Sequence, residues 1–576
     1  MRVSLGEDRV INDLHAFVKA TAEPIQRQAD VHFTEDGSKQ LARQVVDSIT
    51  SQLHPQEVAH QTARGVVYAD LNGNQVFDSG DTPLAGVRVS NGHEITTTAA
   101  DGKYELEIDD DAAVFVIKPR GYRTAVDENQ LPRFYYLHKP QGSPESRFAG
   151  VAPTGPLPES IDFPLYAQQE PDQFKALMFG DPQPRNQREV DYIAHDVVEE
   201  LIGTDASFGV TLGDITFDNL ALFEPQARAI AVLGIPWYNV IGNHDMNYDA
   251  KSDRQSDESF ERVFGPNYYS FDYGTVHFLV LDDVEWLIDE TGKGRYQGGL
   301  GKRQMDFVRR DLEMIPADQL VVLMMHIPLI NVRDRQELYR LIEQRPFAMS
   351  ISAHAHTHEH HYITRDDGWR GPAPHHHVIN VTVCGSWWSG LDNERGIPHA
   401  TMADGAPNGY SILHFDGHKY QLEFRAAGRR ADFQMSVYAP EVVNVSQQAQ
   451  LEIFANVYNG SEKDSVSIWI DEMPAQAMEY TRSKDPAFVK TSTNEREMRD
   501  RLVAQGVPEE KLWIALPQPA TSTHLWKQQV DLGSLADGVH LIHVESKLAD
   551  GQQVRGRRLI RIERNPSPQT LTSEGE

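Results

Sequence analysis

Residues 175–184 read KALMFGDPQP, an apolar run that stops at Gly180 and is followed at once by Asp181 and Gln183. A short apolar run bounded by glycine is typical of a buried β-strand. The same pattern recurs in SFGVTL (207–212), WYNVI (237–241), QLVVLMM (319–325) and FAMSIS (347–352). We therefore predict an α/β sheet in which the loops beyond the carboxyl ends of the strands form a common site.

Polar residues suited to holding metal ions follow each of these predicted strands. Between the runs, residues 188–202 and 302–315 are predicted helices, and in the second of these Met305, Val308 and Leu312 fall on one face. The order and spacing of the polar residues predict a metal centre at the strand ends. They are Asp181 and Gln183, Asp214 in TLGDI, Asn243 and His244 in VIGNHD, His326 in VVLMMHIP, and His354 and His356 in SAHAHTH.

With these residues the chain resembles the calcineurin-like metallophosphoesterases, and specifically their Asp-Pro-Gln subgroup, over roughly residues 172–430. The family pattern is D-x-H/Q, GD, GNH[DE], a lone His after a strand, and GHxH, and all its blocks stand here in order. The resemblance implies a catalytic α/β/β/α sandwich that binds two divalent metal ions, flanked here by two all-β sandwich domains. It implies one ion held by Asp181, Gln183, Asp214 and His356, and a second held by Asp214, Asn243, His326 and His354.

The same resemblance implies hydrolysis of a phosphomonoester or a phosphodiester by attack of a metal-bridging hydroxide. Two cations supply a nucleophile at neutral pH and neutralise charge on the phosphate. Asp214 would bridge the ions, and His244 would donate to a phosphate oxygen or to the leaving group. Since only two carboxylates would face two divalent cations, the centre would attract a small phosphorylated substrate. Monoester and diester both stay open.

Three positions depart from the family pattern without removing a ligand. Gln183 replaces the more usual His, and its neutral oxygen favours Mn or Mg over tightly held Zn. Among Mn, Fe, Zn and Mg we favour Mn. Asp218 lies four residues after Asp214, where relatives often carry a residue that orients the motif histidine, and the sequence leaves open whether it reaches His244. Ala353 replaces the first Gly of GHxH, which restricts the backbone only mildly.

The segment HHHVINVTVCGSWWSG (375–390) resembles the substrate-facing wall of this family, so Trp387 and Trp388 are candidate substrate contacts. Asp404 and Asn408 in DNERGIPHATMADGAPNGY (392–410) are further candidates, although turn formation is the interpretation that their residue types favour. The histidines at 358, 360, 361 and 375–377 are interpreted as strand or rim residues. The single cysteine, Cys384, excludes an intramolecular disulfide and is interpreted as a packed thiol.

Residues 62–168 alternate short apolar runs with Gly, Asn, Asp and Pro, which predicts a β-sandwich. This segment resembles the prealbumin-like or calcium-stapled β domains of surface proteins. Its loop DLNGNQVFDSGD (70–81) has the oxygen spacing of an EF-hand-like calcium loop, although Gly stands at position four instead of six. The alternative is a polar hairpin turn that needs no metal. The candidate calcium ligands are Asp70, Asn72, Asn74, Asp78 and Asp81.

The N-terminal segment 1–58 is interpreted either as a remnant of another enzyme or as a helical arm. Residues 11–49 resemble the C-terminal end of an SGNH hydrolase, in which Asp30 and His32 would be two members of a catalytic triad. The matching Gly-Asp-Ser nucleophile block is missing upstream, so no acyl chemistry is expected. We expect that the chain begins partway into a longer reading frame, and a bifunctional esterase–phosphoesterase fusion is an alternative for the full gene.

Residues 431–565 again have a β pattern, resemble the Ig-like domain that follows the catalytic domain in this subgroup, and contain one predicted helix at 492–506. The tail 566–576 is rich in Pro and Ser and is predicted to be disordered. The net charge of −30 argues against a nucleic-acid partner, and no apolar run is long enough to span a membrane. Calcium binding would favour an exported protein, periplasmic or extracellular. The oligomeric state is left open, and the alternative function is a catalytically silent surface-binding scaffold.

Overall fold

The computed structural model describes residues 2–3, 12–13, 38–39, 41–42 and 61–564. The chain divides into two compact units, residues 1–62 with 107–110, and residues 63–106 with 111–576. In the first unit, β1 (Arg2–Val3) pairs antiparallel with β2 (Asn12–Asp13). Asp30, His32 and the tail 566–576 lie outside the described residues, so the predictions made for them stay predictions.

Two sheets form between residues 61 and 167, as the alternating pattern predicts. One has the strand order β10-β9-β12-β3-β4 and the other the order β11-β8-β5-β6. Val114, Phe115 and Val116 are buried in the second sheet. The strands are β3 (Gln61–Ala69), β4 (Thr82–Pro83), β5 (Arg88–Ser90), β6 (Ile95–Thr97), β7 (Lys103–Ile108), β8 (Ala112–Val116), β9 (Tyr122–Val126), β10 (Pro132–Arg133), β11 (Tyr135–His138) and β12 (Phe163–Ala167).

Two further sheets carry the predicted metal centre. The first has the order β15-β14-β13-β24-β25 and the second the order β16-β17-β20-β21-β23-β22. All five strands predicted from apolar runs are confirmed, as β13, β14, β15, β20 and β21. The strands are β13 (Gln173–Phe179), β14 (Phe208–Leu212), β15 (Trp237–Val240), β16 (Tyr269–Tyr273), β17 (Val276–Val280), β18 (Val284–Ile288), β19 (Gly294–Gly298), β20 (Leu320–Met324), β21 (Ala348–Ser352), β22 (Glu359–Ile363), β23 (His375–Ile379), β24 (Gly409–Asp416) and β25 (Lys419–Ala426).

Helices cover the outer faces of these two sheets, which confirms the α/β fold class. The inner faces meet through aromatic side chains, since the ring of Phe208 lies 5.2 Å from that of Phe278. Next to it on β17, His277 faces outward and contacts Asp311 of a covering helix. The helices are α1 (Gln187–Ile193), a π-helical turn (Ala194–Val198), α2 (Glu199–Leu201), α3 (Phe223–Ala231), α4 (Glu258–Phe264), α5 (Gly301–Glu313) and α6 (Arg335–Ile342).

The C-terminal strands form two more sheets, in the orders β26-β28-β32-β31 and β27-β34-β33-β29-β30. Ile453, Ile468, Trp526 and Ile560 belong to the buried core between them. The predicted helix starts six residues earlier than expected, because Asp485 caps its N-terminus and Pro486 suits the first helical position. The elements are β26 (Met435–Tyr438), β27 (Val442–Asn444), β28 (Gln450–Val457), β29 (Ser465–Ile470), β30 (Gln476–Ala477), β31 (Glu479–Lys484), α7 (Pro486–Ala504), β32 (Thr521–Asp531), β33 (Gly538–Lys547) and β34 (Gln553–Glu563).

Within the described residues, no helix combines the length and the apolar character needed to cross a bilayer.

Candidate metal centre

The loops after β13, β14, β15, β20 and β21 bring all seven predicted metal ligands together. Nε2 of His326 lies 3.2 Å from Oδ1 of Asp214, 3.1 Å from Oδ1 of Asn243 and 3.2 Å from Nδ1 of His354. On the other side, Nε2 of His356 lies 3.2 Å from Oδ2 of Asp181. Nε2 of Gln183 donates to Oδ2 of Asp214 over 2.6 Å. Residues separated by up to 175 positions thus share one small volume.

Hydrogen bonds to backbone carbonyls define which ring nitrogen of two histidines faces this volume. Nδ1 of His326 lies 2.9 Å from the Leu212 carbonyl, and Nδ1 of His356 lies 2.6 Å from the Gly385 carbonyl. A carbonyl only accepts, so each Nδ1 carries a proton and each Nε2 is the nitrogen that faces the cluster. Burial lowers the pKa of His356 to about 4, so its Nε2 presents a lone pair near pH 7. The lone pair of His356 then faces Oδ2 of Asp181, which is buried and accepts no hydrogen bond. Two acceptors in contact are stabilised by a cation, so the donor set fits bound metal.

Backbone strain is concentrated in the same loops. Twelve non-glycine residues among those described have positive φ, and five of them are predicted ligands: Asp181, Gln183, Asp214, His354 and His356. Such conformations cost free energy and persist where the surrounding structure enforces them, commonly at functional sites. Gly242 permits a close approach of two ligand loops, because a Cβ atom there would lie 2.0 Å from the backbone nitrogen of Asp214.

The electrostatics of the cluster favour binding of cations. Burial, followed by the neighbouring charge of Asp214, raises the pKa of the Asp181 carboxyl. Burial also lowers the pKa of His354 to about 4 and that of His356 to about 4, so both rings are neutral near pH 7. Neutral imidazoles and closely spaced carboxylates are the protonation states that ligate metals.

His244 lies beside the cluster and does not join it as a ligand. Its Nδ1 is 2.7 Å from Oδ1 of Asp218, which answers the question that the sequence left open. Its ring stacks on Phe217 with a centroid distance of 4.3 Å, and its backbone nitrogen donates to Oδ1 of Asp214 over 2.9 Å. The side chain is therefore held in one orientation from three directions.

Two buried carboxylates that sequence reasoning missed position the ligand loops. Oδ1 of Asp283 accepts from the backbone nitrogens of His326 and Ile327, each over 3.1 Å. Asp245 accepts from the backbone nitrogens of Gly242, Ile215 and Thr216, which joins the loops after β14 and β15. The sequence does contain a signal for Asp283, because the stretch LDDV (281–284) also follows an apolar, strand-like run.

Of the four candidate substrate contacts, only Trp387 is exposed at the centre. It is 37 % exposed, and its ring stacks on His356 with a centroid distance of 4.0 Å. The prediction was wrong for Trp388, which is 2 % exposed and packs beside Tyr192 with its Nε1 donating to the Pro182 carbonyl. The side chain of Trp388 therefore belongs to the core, although that of its neighbour Trp387 is exposed.

Asp404 and Asn408 are also buried, so the prediction that they contact substrate is corrected in favour of the structural interpretation. Oδ1 of Asp404 accepts from the backbone nitrogen of Ala406, which closes a turn, and Oδ2 lies 3.1 Å from Nε2 of His524. Nδ2 of Asn408 donates to Asp196 and to the Val383 carbonyl.

Three of the candidate calcium ligands of the N-terminal loop contact one another through their side chains. Oδ2 of Asp78 accepts from Nδ2 of Asn72 over 3.0 Å and from Nδ2 of Asn74 over 3.1 Å. Asp70 accepts from the backbone nitrogens of Gly73 and Gln75, and Asp81 from those of Leu71 and Asp78. The same bonds also suit a metal-free turn, so calcium binding stays a prediction.

Comparison with known proteins gives two family matches. Residues 70–151 match the N terminal of calcineurin-like phosphoesterase, and residues 377–553 match the C terminal of calcineurin-like phosphoesterase. No curated protein matches the chain.

Solved structures give only distant likenesses. A purple acid phosphatase from yellow lupin (Lupinus luteus) seeds is 15 % identical, with 59 % of this chain and 67 % of that chain covered and a TM-score of 0.34. An endo-beta-1,4-mannanase from Thermotoga petrophila is 11 % identical, with 69 % and 99 % covered and a TM-score of 0.25. The spore cortex lytic enzyme SleM of Clostridium perfringens is 14 % identical, with 68 % and 99 % covered and a TM-score of 0.18.

Proposed function

From the premise that this chain is a calcineurin-like phosphoesterase carrying both flanking domains of that family, we propose that it hydrolyses a small phosphate ester with the help of two divalent metal ions. The observation that carries the proposal is the convergence of seven ligand-type side chains from five strand ends. Three of them, Asp214, His326 and His354, offer ligand atoms that all lie within 4.8 Å of one another.

The residues are assigned to two metal positions that share Asp214. Asp181, Gln183 and His356 complete one position, and Asn243, His326 and His354 complete the other. For Gln183 to ligate through oxygen, its amide must turn over, because Oε1 now faces Sγ of Cys384 at 3.7 Å. Bound divalent cations would supply Lewis acidity that activates water and neutralises charge on the phosphate oxygens. With manganese as the ion, a neutral amide oxygen is a suitable ligand.

His244 is assigned to the substrate. Since its Nδ1 faces Asp218, the opposite nitrogen, Nε2, is the one left to meet a phosphate oxygen or the leaving-group oxygen. A carboxylate behind the imidazole fixes the orientation of the ring and stabilises its protonated form, which is the form that can donate a proton. Phe217 prevents the ring from swinging out, so the donor stays aimed at the centre.

The direct test is hydrolysis of p-nitrophenyl phosphate and bis(p-nitrophenyl) phosphate by the manganese-loaded protein. Turnover that needs metal and is lost in Asp214→Asn supports the proposal, and the ratio of the two rates chooses between monoester and diester. Asp416→Asn, at an exposed aspartate on β24, is the matched control and should keep full activity. Metal bound at full occupancy without turnover of any ester would favour the silent scaffold instead.

We also propose that the protein works outside the cytoplasm, in the periplasm or the extracellular space. The support is the calcium-type loop of the N-terminal β domain, since millimolar calcium is an extracellular condition. Fractionation of the source cells, followed by detection with an antibody to the chain, tests this; recovery with cytoplasmic markers alone would reject it.

A further inference from the structure

Three exposed aromatic side chains surround the candidate metal centre. Tyr248 is 43 % exposed, Tyr296 is 38 % exposed and Trp387 is 37 % exposed. Exposed aromatic rings are expensive to leave in water, and where they cluster they mark a binding surface. Because all three lie beside predicted ligands, their role concerns the molecule that the centre binds.

Trp387 is partly exposed beside the centre, and one face of its ring is covered by His356, with an angle of 29° between the ring planes. The backbone holds it there, because Trp387 adopts a φ of 59° and its carbonyl accepts from Arg185 over 2.8 Å. The ring is therefore a fixed platform and not a mobile surface side chain.

Tyr296, on the hairpin formed by β18 and β19, lies beside a second predicted ligand histidine, His354. Its ring lies 6.2 Å from that of His354, at an angle of 89°. In the hairpin register Tyr296 pairs with Trp286 across the strands. A cross-strand aromatic pair stabilises the hairpin and sets the direction of both rings.

Tyr248 connects this hairpin to a ligand loop. Its ring lies parallel to that of Trp286, with an angle of 5° and a centroid distance of 5.4 Å. Its hydroxyl donates to the carbonyl of Asn243 over 2.8 Å. Contacts of Tyr248 therefore connect the hairpin to the loop of the predicted ligand Asn243.

We propose that the substrate of this centre is a phosphate ester whose leaving group begins with a flat unsaturated ring, which is held between Trp387 and Tyr296. Both rings lie directly against ligand histidines, so a group between them is joined to the phosphate oxygen directly or through one carbon. Flat rings stack on aromatic faces, and a saturated ring of equal size does not gain this energy. Arg185, which lies nearby, pairs with Glu189 and donates to the Trp387 carbonyl. Because its guanidinium is already engaged, it does not favour a negatively charged ring, and we therefore expect an uncharged one.

The inference rests on the proposed function for its catalytic meaning, but it is tested by binding. We would titrate the manganese-loaded protein with phenylphosphonate and with cyclohexylphosphonate, which match in size and differ in the flat ring. The expected result is tighter binding of phenylphosphonate by about three- to tenfold, the range of an aromatic stacking contact. Tyr296→Leu and Trp387→Leu should each remove most of this preference, whereas Tyr296→Phe should keep it.

Phe433→Leu is the matched control, since Phe433 is similarly exposed but lies in the C-terminal region, and it should leave the preference unchanged. Equal affinity for the two phosphonates, or binding of neither at millimolar concentration, overturns the inference. An unchanged preference in both leucine variants, with the fold intact by circular dichroism, overturns it as well.

Hydrolysis separates this inference from the proposed function. Turnover of simple esters without a phenyl preference rejects the aromatic site alone. A phenyl preference without turnover of any ester rejects the proposed function alone. Adenosine monophosphate, whose base is separated from phosphorus by a ribose, should be hydrolysed with a lower kcat/KM than phenyl phosphate; the reverse order would reject the close placement of the ring.

Discussion

Nδ1 of His244 lies 2.7 Å from Oδ1 of Asp218, a contact that the sequence alone leaves open. The two residues are 26 positions apart and come from the loops after β14 and β15. Their contact fixes the orientation of the His244 ring, so Asp218 should affect how well His244 donates to the substrate.

Replacing Asp218 by Asn should lower kcat while leaving KM and metal affinity nearly unchanged. The amide keeps the size of the side chain but removes the charge that stabilises the imidazole, and loss of such an orienting partner typically costs about 10–100-fold in activity. Steady-state kinetics with p-nitrophenyl phosphate measure the effect. A variant that loses bound manganese instead would show that Asp218 only maintains the centre.

Replacing Gln183 by His should shift metal preference toward zinc. Imidazole nitrogen suits zinc better than an amide oxygen does, so the ratio of zinc to manganese affinity should rise by about tenfold, the scale of changes around a metal ligand. Competition titrations with a chelator measure the ratio. Gln173→His, at the exposed start of the same strand, is the control, and equal shifts in both variants would refute the assignment.

Calcium should raise the thermal unfolding midpoint of the protein through the loop 70–81. Asp78 lies at the centre of that loop, where its carboxylate meets both asparagine side chains. Adding millimolar calcium after chelation should raise Tm in the parent and not in Asp78→Asn. Asp101→Asn, at another exposed aspartate of the same domain, should respond like the parent. A calcium response that survives in Asp78→Asn would identify the loop as a metal-free turn.

The protein should lose stability as pH rises from about 6.5 to about 9. His277 is buried between Asp272, at 2.7 Å, and Asp311, at 3.0 Å, and Arg88 of the N-terminal β domain pairs with both carboxylates. Burial opposes the charge on His277, but the charges of Asp311 and Asp272 outweigh it and raise its pKa to about 9.

A pKa raised by folding contributes stability below the unfolded value near 6.5, and this contribution is lost as pH passes through 9. From the shift, the loss is at most about 3 kcal/mol. In His277→Gln, Tm should be lower at pH 6.5 and nearly flat above pH 7, while His195→Gln, at an exposed histidine, should keep the parental slope. An identical alkaline slope in His277→Gln would exclude this network as the cause.

Acid should destabilise the sheet that carries β23. His375 and His377 are buried on that strand, and the hydroxyl of Ser350 lies 2.8 Å from a ring nitrogen of each. Burial lowers the pKa of His375 to about 3. A histidine whose pKa is lowered by folding contributes stability above its unfolded value near 6.5, and this contribution is lost as pH falls toward 3.

His375→Gln keeps a hydrogen-bonding side chain that cannot be protonated, so its Tm should fall less than that of the parent between pH 6.5 and pH 4. The exposed His195→Gln again serves as the control. Parallel acid slopes in parent and His375→Gln would assign the acid sensitivity to other groups.

Local pattern was enough to predict the strands and to place polar, ligand-type residues at their ends. Apolar runs such as LVVLM predict buried strands because a chain segment with no polar side chain must be covered on both faces. Asp214 and His326 follow strands of two different sheets, β14 and β20. They meet because the loops beyond the carboxyl ends of both sheets converge on one site. The sequence also predicts a helix in the C-terminal region, at 492–506. The structure places its start at Pro486 because Asp485 caps the N-terminus.

Tertiary packing decided everything that depends on contacts across long stretches of chain. Trp387 and Trp388 are neighbours with the same residue type and similar positive φ, yet Trp387 is exposed beside His356 and Trp388 is buried in the core. Arg88 and Asp311 are 223 positions apart and meet only when the β domain packs on the outer helix. The sequence by itself determined which polar groups stand at the strand ends. Only the tertiary structure decided which other residues contact those groups, because the burial of a side chain depends on every segment that packs over it.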